Sequence, residues 1–298
     1  MTRTRPRNIE EMIRVDEKFV TDESFRRGVS YQPEPSDVFI SPYAKCGTTW
    51  MQQIVHGLRS GGSMDFDEIT QVVPWLELAH DMGADVNAEQ VARPRAFKSH
   101  LGWDDIPKGG RYVTVLRDPV DAMVSLYNFL SGWRFEAGAI SLEDFADYYL
   151  GRPDSNNYWT HAASWWRQRD RADVLLVAFE HMKRDLPGVV ARVAGFIGVP
   201  DDPVLRQHVT DQAGFDFMKA HGRQFDDHLL RAARDPACGL PPGGEATKVA
   251  TGKVGQGKPL VTEVIRRKFD TRWQEVMTAE FGLASYETLL DTLAAKSG

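Results

Sequence analysis

The sequence contains little cysteine and similar numbers of acidic and basic residues, and each of these features excludes a class of protein. Cys46 and Cys238 are the only cysteines among 298 residues, too few for a disulfide framework and without a C-x-x-C pair that would indicate zinc. The 42 acidic residues nearly balance the 36 basic ones, so the net charge of −6 creates no global attraction to nucleic acid. We therefore expect a reduced, cytoplasmic, globular protein with no nucleic-acid partner.

Long apolar runs are missing as well. No stretch reaches the roughly 20 apolar residues that a membrane-spanning helix needs, so we expect no transmembrane segment. The N-terminus, MTRTRPRNIEEM, is basic but has no apolar core, which excludes a secretory signal. Hydrophobic residues still make up 42% of the chain, enough to bury a sizeable core.

Short apolar runs alternate with helical patterns along the chain. Four of them predict strands, at residues 37–41, 95–100, 111–117 and 174–180, and no internal repeat is visible. This order predicts a single α/β domain with a central, mostly parallel sheet flanked by helices. Around it we expect an N-terminal lead-in (1–36), an irregular loop or lid (222–258) and a helical C-terminal region (259–298).

The first predicted strand leads into AKCGTT and then a helix, a P-loop-like arrangement. The N–H groups around Gly47, the hydroxyls of Thr48 and Thr49 and the helix start together predict an anion cradle. An ordinary strand-to-helix turn with Thr as N-cap is the alternative. Lys45 precedes the turn, unlike the lysine of the G-x-x-x-x-G-K-[ST] nucleotide loop, and this speaks against a kinase-type enzyme.

Two further strands end in polar groups, and ligands of parallel sheets bind at that edge. Lys98 and His100 are two residues apart and share a face of an extended strand, where a neutral imidazole beside an ammonium suits a general base. Arg117 ends the next strand, and with Ser125 eight residues later it predicts a grip on a second phosphate. A solvated strand end and an exposed Arg–Asp pair are the respective alternatives.

Together and in this order, these pieces resemble the signatures of the soluble, cytosolic-type sulfotransferase family, whose donor is 3′-phosphoadenosine 5′-phosphosulfate (PAPS). AKCGTTW is similar to the family's P-K-S-G-T-T-W, KSHLGWDDIP to its K-[ST]-H-L with a following proline, and the Arg117–Ser125 spacing to its third signature. YWTHAASWWRQR, FEHMKRDL, GFDFMK and GKVGQGK extend the resemblance over about residues 37–277. The Arg- and Ala-rich composition indicates a bacterial member.

The resemblance implies a role for each matching position. Lys45 would stabilise charge on the bridging oxygen, His100 would remove the acceptor's hydroxyl proton, and Lys98 would lie near the sulfuryl group. The product would be adenosine 3′,5′-bisphosphate (PAP), and no metal is expected because a sulfuryl group carries less negative charge than a phosphoryl group. The residues that would bind the nucleotide are Lys45, Cys46, Gly47, Thr48, Thr49, Trp50, Arg117, Ser125, Phe179, Phe215, Met218, Gly252 and Lys253.

The chain departs from the family pattern at Cys46, where the family has Ser or Thr. A thiol at a helix N-terminus beside Lys45 predicts a lowered pKa and ready alkylation. The family's R-K-G reads Ala250, Thr251 and Gly252 here, so one or two charges on the 3′-phosphate are missing. Lys248 and Lys253 are the candidate replacements.

The loss of these charges from the 3′-phosphate loop leaves two functions open. One is an enzyme that sulfates a hydroxyl or amine of a small, apolar or lipid-like acceptor; the other is a non-catalytic nucleotide-binding protein of the same fold. The intact His100 favours the enzyme. Trp133 and Phe135 are predicted to face the acceptor, and the remaining aromatic residues between 129 and 166 are predicted to be core. The family's dimer signature survives only as Lys258 and Thr262, so monomer and homodimer both remain open.

Overall fold

A four-stranded parallel sheet lies at the centre of the computed structural model, which describes residues 3–244, 255 and 257–295. The strands are β1 (Val38–Ile40), β2 (Ala96–Lys98), β3 (Arg111–Leu116) and β4 (Val174–Ala178), in the order β2-β1-β3-β4. Nearly every strand residue is buried, as expected for parallel strands covered on both faces. The predicted α/β class with a single domain and a central parallel sheet is confirmed.

Helices cover the sheet and extend beyond its edges. None in the described part of the chain is long and apolar enough to cross a membrane. The helices are α1 (Ile9–Asp16), α2 (Asp22–Val29), α3 (Thr48–Ser60), α4 (Ile69–Val72), α5 (Pro119–Leu130), α6 (Leu142–Leu150), α7 (Tyr158–Trp166), α8 (Phe179–Arg184), α9 (Leu186–Ile197), α10 (Pro203–Gln212), α11 (Phe215–Ala220), α12 (His228–Cys238), α13 (Glu263–Trp273), α14 (Ala279–Phe281) and α15 (Tyr286–Ala295).

Alternate residues of the strands feed two separate hydrophobic cores, because successive side chains point to opposite faces of a sheet. On one face Phe39 of β1 stacks on Tyr112 of β3, with ring centroids 5.4 Å apart, in a core rich in aromatic side chains. On the other face Ile40 and Val113 join an aliphatic core that α3 and α9 cover. Both cores hold the carboxyl ends of the strands in place from either side.

Two regions outside the sheet contain helices that the sequence analysis did not specify. The lead-in contains two capped helices, α1 and α2. The region 222–258 was predicted to be irregular, and this is wrong for residues 228–238, which form α12. The Gly- and Pro-rich composition of the whole region concealed a local run of Leu, Ala and Arg that ends at Gly239, whose φ of 76° suits a helix C-terminus.

The segment that follows α3 adds backbone pairing to the edge of the sheet. The helix there, α4, stops before Pro74, and the chain instead pairs with the edge strand β2. The Lys98 N–H donates to the carbonyl of Pro74, and Leu76 N–H donates to the carbonyl of Lys98, both at 2.8 Å. This added pairing brings Trp75 and Glu77 to the end of β2.

Candidate active site

The turn between β1 and α3 is the segment that the sequence analysis predicted to bind an anion. Lys45 has a φ of 65° and Gly47 one of 102°, both left-handed, and a Cβ at Gly47 would approach the Phe179 ring to 3.1 Å. Gly47, not a threonine, occupies the N-cap position and leaves the first N–H groups of α3 without a side-chain cap. Within the described residues, the buried Oγ1 of Thr48 has no hydrogen-bond partner. Donors without acceptors therefore converge where an anion would sit.

Arg117, at the end of β3, is tied directly to this cradle. Its Nη1 donates to the carbonyl oxygen of Lys45 at 2.8 Å, and its guanidinium lies 4.4 Å from the centre of the Phe179 ring. Its Nε is buried and finds no acceptor in the described part of the chain. Ser125 lies two turns into α5, the helix that follows, and lines the same cavity. Arg117 and Ser125 thus line the same cavity as the turn.

Asp121, which the sequence analysis missed, holds a distant segment against α5. It is 3% exposed, and its carboxylate accepts hydrogen bonds from the N–H groups of Gly255 at 2.6 Å and Gly257 at 2.9 Å. Asp121 and Ser125 are one helical turn apart in α5, which places them on one face of the helix. This spacing is the sequence signal that could have identified Asp121. The predicted nucleotide-binding residues just before this segment lie outside the described residues: Gly252 and Lys253, together with Lys248, Ala250 and Thr251.

Lys98 and His100 lie at the end of β2, and the geometry fixes the tautomer of the histidine. The Lys98 ammonium lies 3.8 Å from the centre of the Trp75 ring, and the His100 ring meets Trp75 edge-on with centroids 5.1 Å apart. Nδ1 of His100 lies 2.7 Å from the carbonyl oxygen of Pro42. A carbonyl only accepts, so Nδ1 carries the hydrogen and the neutral ring keeps its lone pair on Nε2.

Glu77 is a second residue that the sequence analysis missed. Its Oε1 accepts the backbone N–H of His100 at 2.9 Å, and the side chain is 5% exposed. Burial raises the pKa of the Glu77 carboxyl, although the hydrogen bond from His100 acts in the opposite direction. Only the unexpected pairing of residues 74–76 with β2 brings Glu77 here, so no local pattern revealed it.

Aromatic faces form the end of the site beyond the cradle. The Trp50 indole N–H donates to the carbonyl of Ala213 at 2.8 Å, and its ring lies edge-on to Phe179 with centroids 5.5 Å apart. The Lys183 ammonium lies 5.9 Å from the ring centres of both Trp50 and Phe215. This arrangement offers flat apolar surfaces with positive charge nearby, which suits a base attached to phosphates.

One cavity of about 920 Å³ connects these groups. The predicted site residues that line it are Lys45, Gly47, Thr48, Thr49, Trp50, Lys98, His100, Arg117, Ser125, Trp133, Phe179, Phe215 and Met218.

Phe135 does not line the cavity, and the prediction that it faces the acceptor is wrong. A tight turn after α5, in which the N–H of Gly132 donates to the carbonyl of Phe135, reverses the chain between Trp133 and Phe135. The Phe135 ring is fully buried and packs 5.7 Å from the ring of Tyr127. Trp133 does line the cavity, and its indole N–H donates to Asp235 of α12 at 2.9 Å.

Cys46 is also placed differently from the prediction. The side chain is fully buried, and burial raises the pKa of its thiol to about 12, although Arg117 acts in the opposite direction. The predicted lowering of the pKa is therefore wrong, because burial outweighs the effect of the neighbouring Arg117. Cys46 contributes packing to the aromatic core rather than a reactive thiol to the cavity.

Comparison with known proteins identifies the family. A sequence profile described as "Sulfotransferase domain" matches residues 35–281. The chain belongs to the sulfotransferase family. Among curated relatives, mouse sulfotransferase 4A1 is 28% identical over 252 residues, which cover 82% of this chain and 81% of the relative. Bovine sulfotransferase 1E1 is 25% identical over 275 residues, covering 87% of this sulfotransferase and 89% of the relative.

Solved structures agree on the fold. A retinol dehydratase in complex with androsterone and the inactive cofactor PAP aligns with a TM-score of 0.70 at 19% identity, over 93% of this chain and 96% of that one. Mouse sulfotransferase SULT7A1 complexed with PAP aligns with a TM-score of 0.66 at 20% identity, over 87% and 90% of the two chains. The family resemblance and the predicted architecture are both confirmed.

Proposed function

We propose that this sulfotransferase transfers a sulfuryl group from PAPS to a hydroxyl, or an amine, of a small acceptor, with His100 as the base. The observation that carries the proposal is the convergence of three strand ends on one cavity. The cradle with Lys45 follows β1, Lys98 and His100 end β2, and Arg117 ends β3. Cations, an oriented imidazole and unsatisfied donors are thus placed around a common space.

The polar groups of the cavity fit the anionic parts of the donor. The cradle around Gly47 would hold the 5′-phosphate, where the buried Thr48 hydroxyl lacks a partner among the described residues. Arg117 and Ser125 would hold the 3′-phosphate, and the Nε of Arg117 has no acceptor among the described residues. The aromatic faces of Trp50 and Phe215 would receive the adenine. PAPS bound in this way supplies the sulfuryl group to be transferred.

Three side chains would do the chemistry. His100, held through Nδ1 by Pro42, accepts the acceptor's proton on Nε2, a role typically worth about 10²–10⁴-fold in rate. Lys45 places a positive charge beside the cradle and stabilises the negative charge that develops on the leaving oxygen. Lys98, 3% exposed, adds a second cation next to the base.

The alternative is a nucleotide-binding protein without catalysis. It is favoured only by the departure from R-K-G at Ala250, Thr251 and Gly252. We propose that Lys253 replaces a missing 3′-phosphate contact, since it lies two residues before Gly255, which Asp121 holds against the helix of Ser125. Lys248 is the second candidate. A bacterial source and a cytoplasmic location are part of the same proposal, supported by composition alone.

Calorimetric titration with PAP and with adenosine 5′-monophosphate tests the donor site. We expect PAP to bind with a Kd on the order of 1 μM and the monophosphate at least about tenfold more weakly. Arg117→Gln should abolish that difference, whereas Arg267→Gln, an exposed arginine of α13, should preserve it. Equal and weak binding of both nucleotides to the wild-type protein would refute a PAPS site.

A further inference from the structure

The cavity wall beyond the donor residues carries charges that the sequence analysis did not anticipate. Asp16 of α1, Arg134 after α5 and Arg152 after α6 all line it. Nη1 of Arg134 lies 3.8 Å from Oδ1 of Asp16, so these two groups balance each other. Burial raises the pKa of the Asp16 carboxyl, although Arg134 and Arg152 act in the opposite direction. Two cations and one acid leave this part of the cavity with an excess of positive charge.

The excess resides on Arg152. Its Nη1 donates to the hydroxyl of Tyr43 at 2.9 Å, and its guanidinium lies 5.5 Å from the ring centre of Tyr148. Burial raises the pKa of Tyr43 to about 12, so the phenol accepts a hydrogen bond but supplies no negative charge. Among the residues that the structure describes, no carboxylate lies within ion-pair distance of Arg152, and Asp16 acts on it electrostatically from beyond that distance. A guanidinium has five N–H donors, and the structure pairs one of them, on Nη1 of Arg152, with the Tyr43 hydroxyl.

Tyr43 connects Arg152 to the segment that holds the base. It directly follows Pro42, whose carbonyl holds the His100 ring, and its hydroxyl receives the hydrogen bond from Arg152. His100 and Arg152 also line the same cavity. A phenol with a short side chain is the simplest acceptor that carries a hydroxyl for His100 and a second polar group for Arg152. The aromatic rings of Phe129 and Trp133 line the cavity as well and suit the apolar body of such an acceptor.

We infer that the acceptor carries an anionic group, a carboxylate above all, and that Arg152 binds this group while the acceptor's hydroxyl reaches His100. The planar guanidinium matches a carboxylate with two parallel hydrogen bonds. This inference rests on the proposed function and narrows it, because a purely apolar or lipid-like acceptor would leave Arg152 without an anionic partner at ion-pair distance. Asp16 does not favour a cationic acceptor in the same way, since Arg134 already pairs with it.

Three phenols of similar size test the inference: 3-(4-hydroxyphenyl)propanoate, its neutral amide, and the cation tyramine. Transfer from labelled PAPS gives kcat/KM for each phenol, and calorimetry in the presence of PAP gives its affinity. We expect the carboxylate to exceed the amide at least about tenfold in both, with tyramine lowest, as a charge-assisted bidentate contact would provide. Arg152→Gln should equalise carboxylate and amide, and Arg152→Glu should make tyramine the preferred phenol. PAP affinity should stay unchanged in both variants.

The outcomes separate this inference from the proposed function. A carboxylate that binds no better than the amide, or that keeps its advantage in Arg152→Gln, overturns the inference even when PAP binds tightly. A loss of PAP affinity in Arg152→Gln also overturns it, by assigning Arg152 to the donor. Failure of PAP to bind the wild-type protein refutes the proposed function, and the carboxylate-to-amide affinity ratio measured without nucleotide then still decides the role of Arg152.

Discussion

Arg117 donates a hydrogen bond from Nη1 to the main-chain carbonyl of Lys45, 2.8 Å away. Because Arg117 ends β3 and Lys45 lies between β1 and α3, this bond fixes the two proposed phosphate-binding regions relative to each other. Lys45 has a φ of 65°, a conformation that costs a residue with a Cβ about 1–2 kcal/mol. The surrounding contacts maintain this conformation, so the cradle is arranged before a ligand arrives, which is how electrostatic stabilisation becomes effective.

Removing the ammonium of Lys45 should affect the chemical step most. In Lys45→Met the length of the stem is nearly retained, and we expect the barrier to rise by about 3–4 kcal/mol, as for loss of one oxyanion donor. Single-turnover transfer from labelled PAPS measures the effect. Lys268→Met, an exposed lysine paired with Asp147, is the matched control and should retain the wild-type rate. A Lys45→Met rate within a factor of about three of wild type would exclude the assigned role.

Cys46 should be inert despite its position before a helix. Since the thiol is fully buried and its pKa is raised to about 12, iodoacetamide at about pH 8 should not modify it in the folded protein. Mass spectrometry of the labelled peptides provides the measurement. The exposed Ser36→Cys gives the positive control, and guanidinium chloride should make Cys46 and Cys238 reactive. Rapid native labelling of Cys46 would mean that its segment opens to solvent.

The strand ends and the cradle could be predicted because their signals are local. A β-branched run predicts a strand, Gly47 with two threonines predicts the turn and the helix after it, and parallel topology brings strand ends together. Phe135 shows where such reasoning stops, since a single turn decides whether an aromatic ring enters the cavity or the core. Cys46 shows the same limit for pKa values. The pKa of its thiol depends on how the whole fold buries it, which no local sequence pattern indicates.

Glu77 and Arg152 could not have been predicted, because tertiary contacts alone place them. Glu77 reaches His100 through the pairing of its segment with β2, a consequence of the helix ending before Pro74. Arg152 reaches the cavity through Tyr43, which is 109 residues away in the sequence. Neither contact has a spacing or a composition that marks it. The proposed acceptor-binding residues therefore required the structure, whereas most of the proposed donor-binding residues could be predicted from the sequence.

Stability should fall on the acid side because of buried histidines. Burial lowers the pKa of His161 to about 3, and the unfolded chain has an ordinary histidine pKa of about 6.5. Between these values the unfolded state binds a proton that the native state does not. The contribution of His161 is thus present above about pH 6.5 and is lost at up to about 1.4 kcal/mol per pH unit as the pH falls.

The pH slope of urea unfolding in His161→Phe checks this contribution. Subtracting the variant's free energy of unfolding from that of the wild type at each pH isolates His161 from all other titrating groups. We expect this difference to decrease steadily from about pH 6.5 downward. His56, whose pKa is lowered to about 4 by burial, should give the same sign in His56→Phe with a window that closes earlier. A pH-independent difference would mean that His161 titrates alike in both states.

Replacing His100 distinguishes an enzyme from a nucleotide-binding protein. His100→Asn should lower kcat by about 10²–10⁴-fold, because the ring whose Nδ1 is held by Pro42 is the proposed proton acceptor. The affinity for PAP should be unchanged, because we assign no contact with the nucleotide to the His100 side chain. Glu77→Gln serves as the matched comparison: it keeps an oxygen that can accept the His100 N–H, so a fall of only a few-fold is expected. Equal activity of His100→Asn and wild type would place the base elsewhere, whereas tight PAP binding with no turnover of any acceptor by the wild type would favour the non-catalytic alternative.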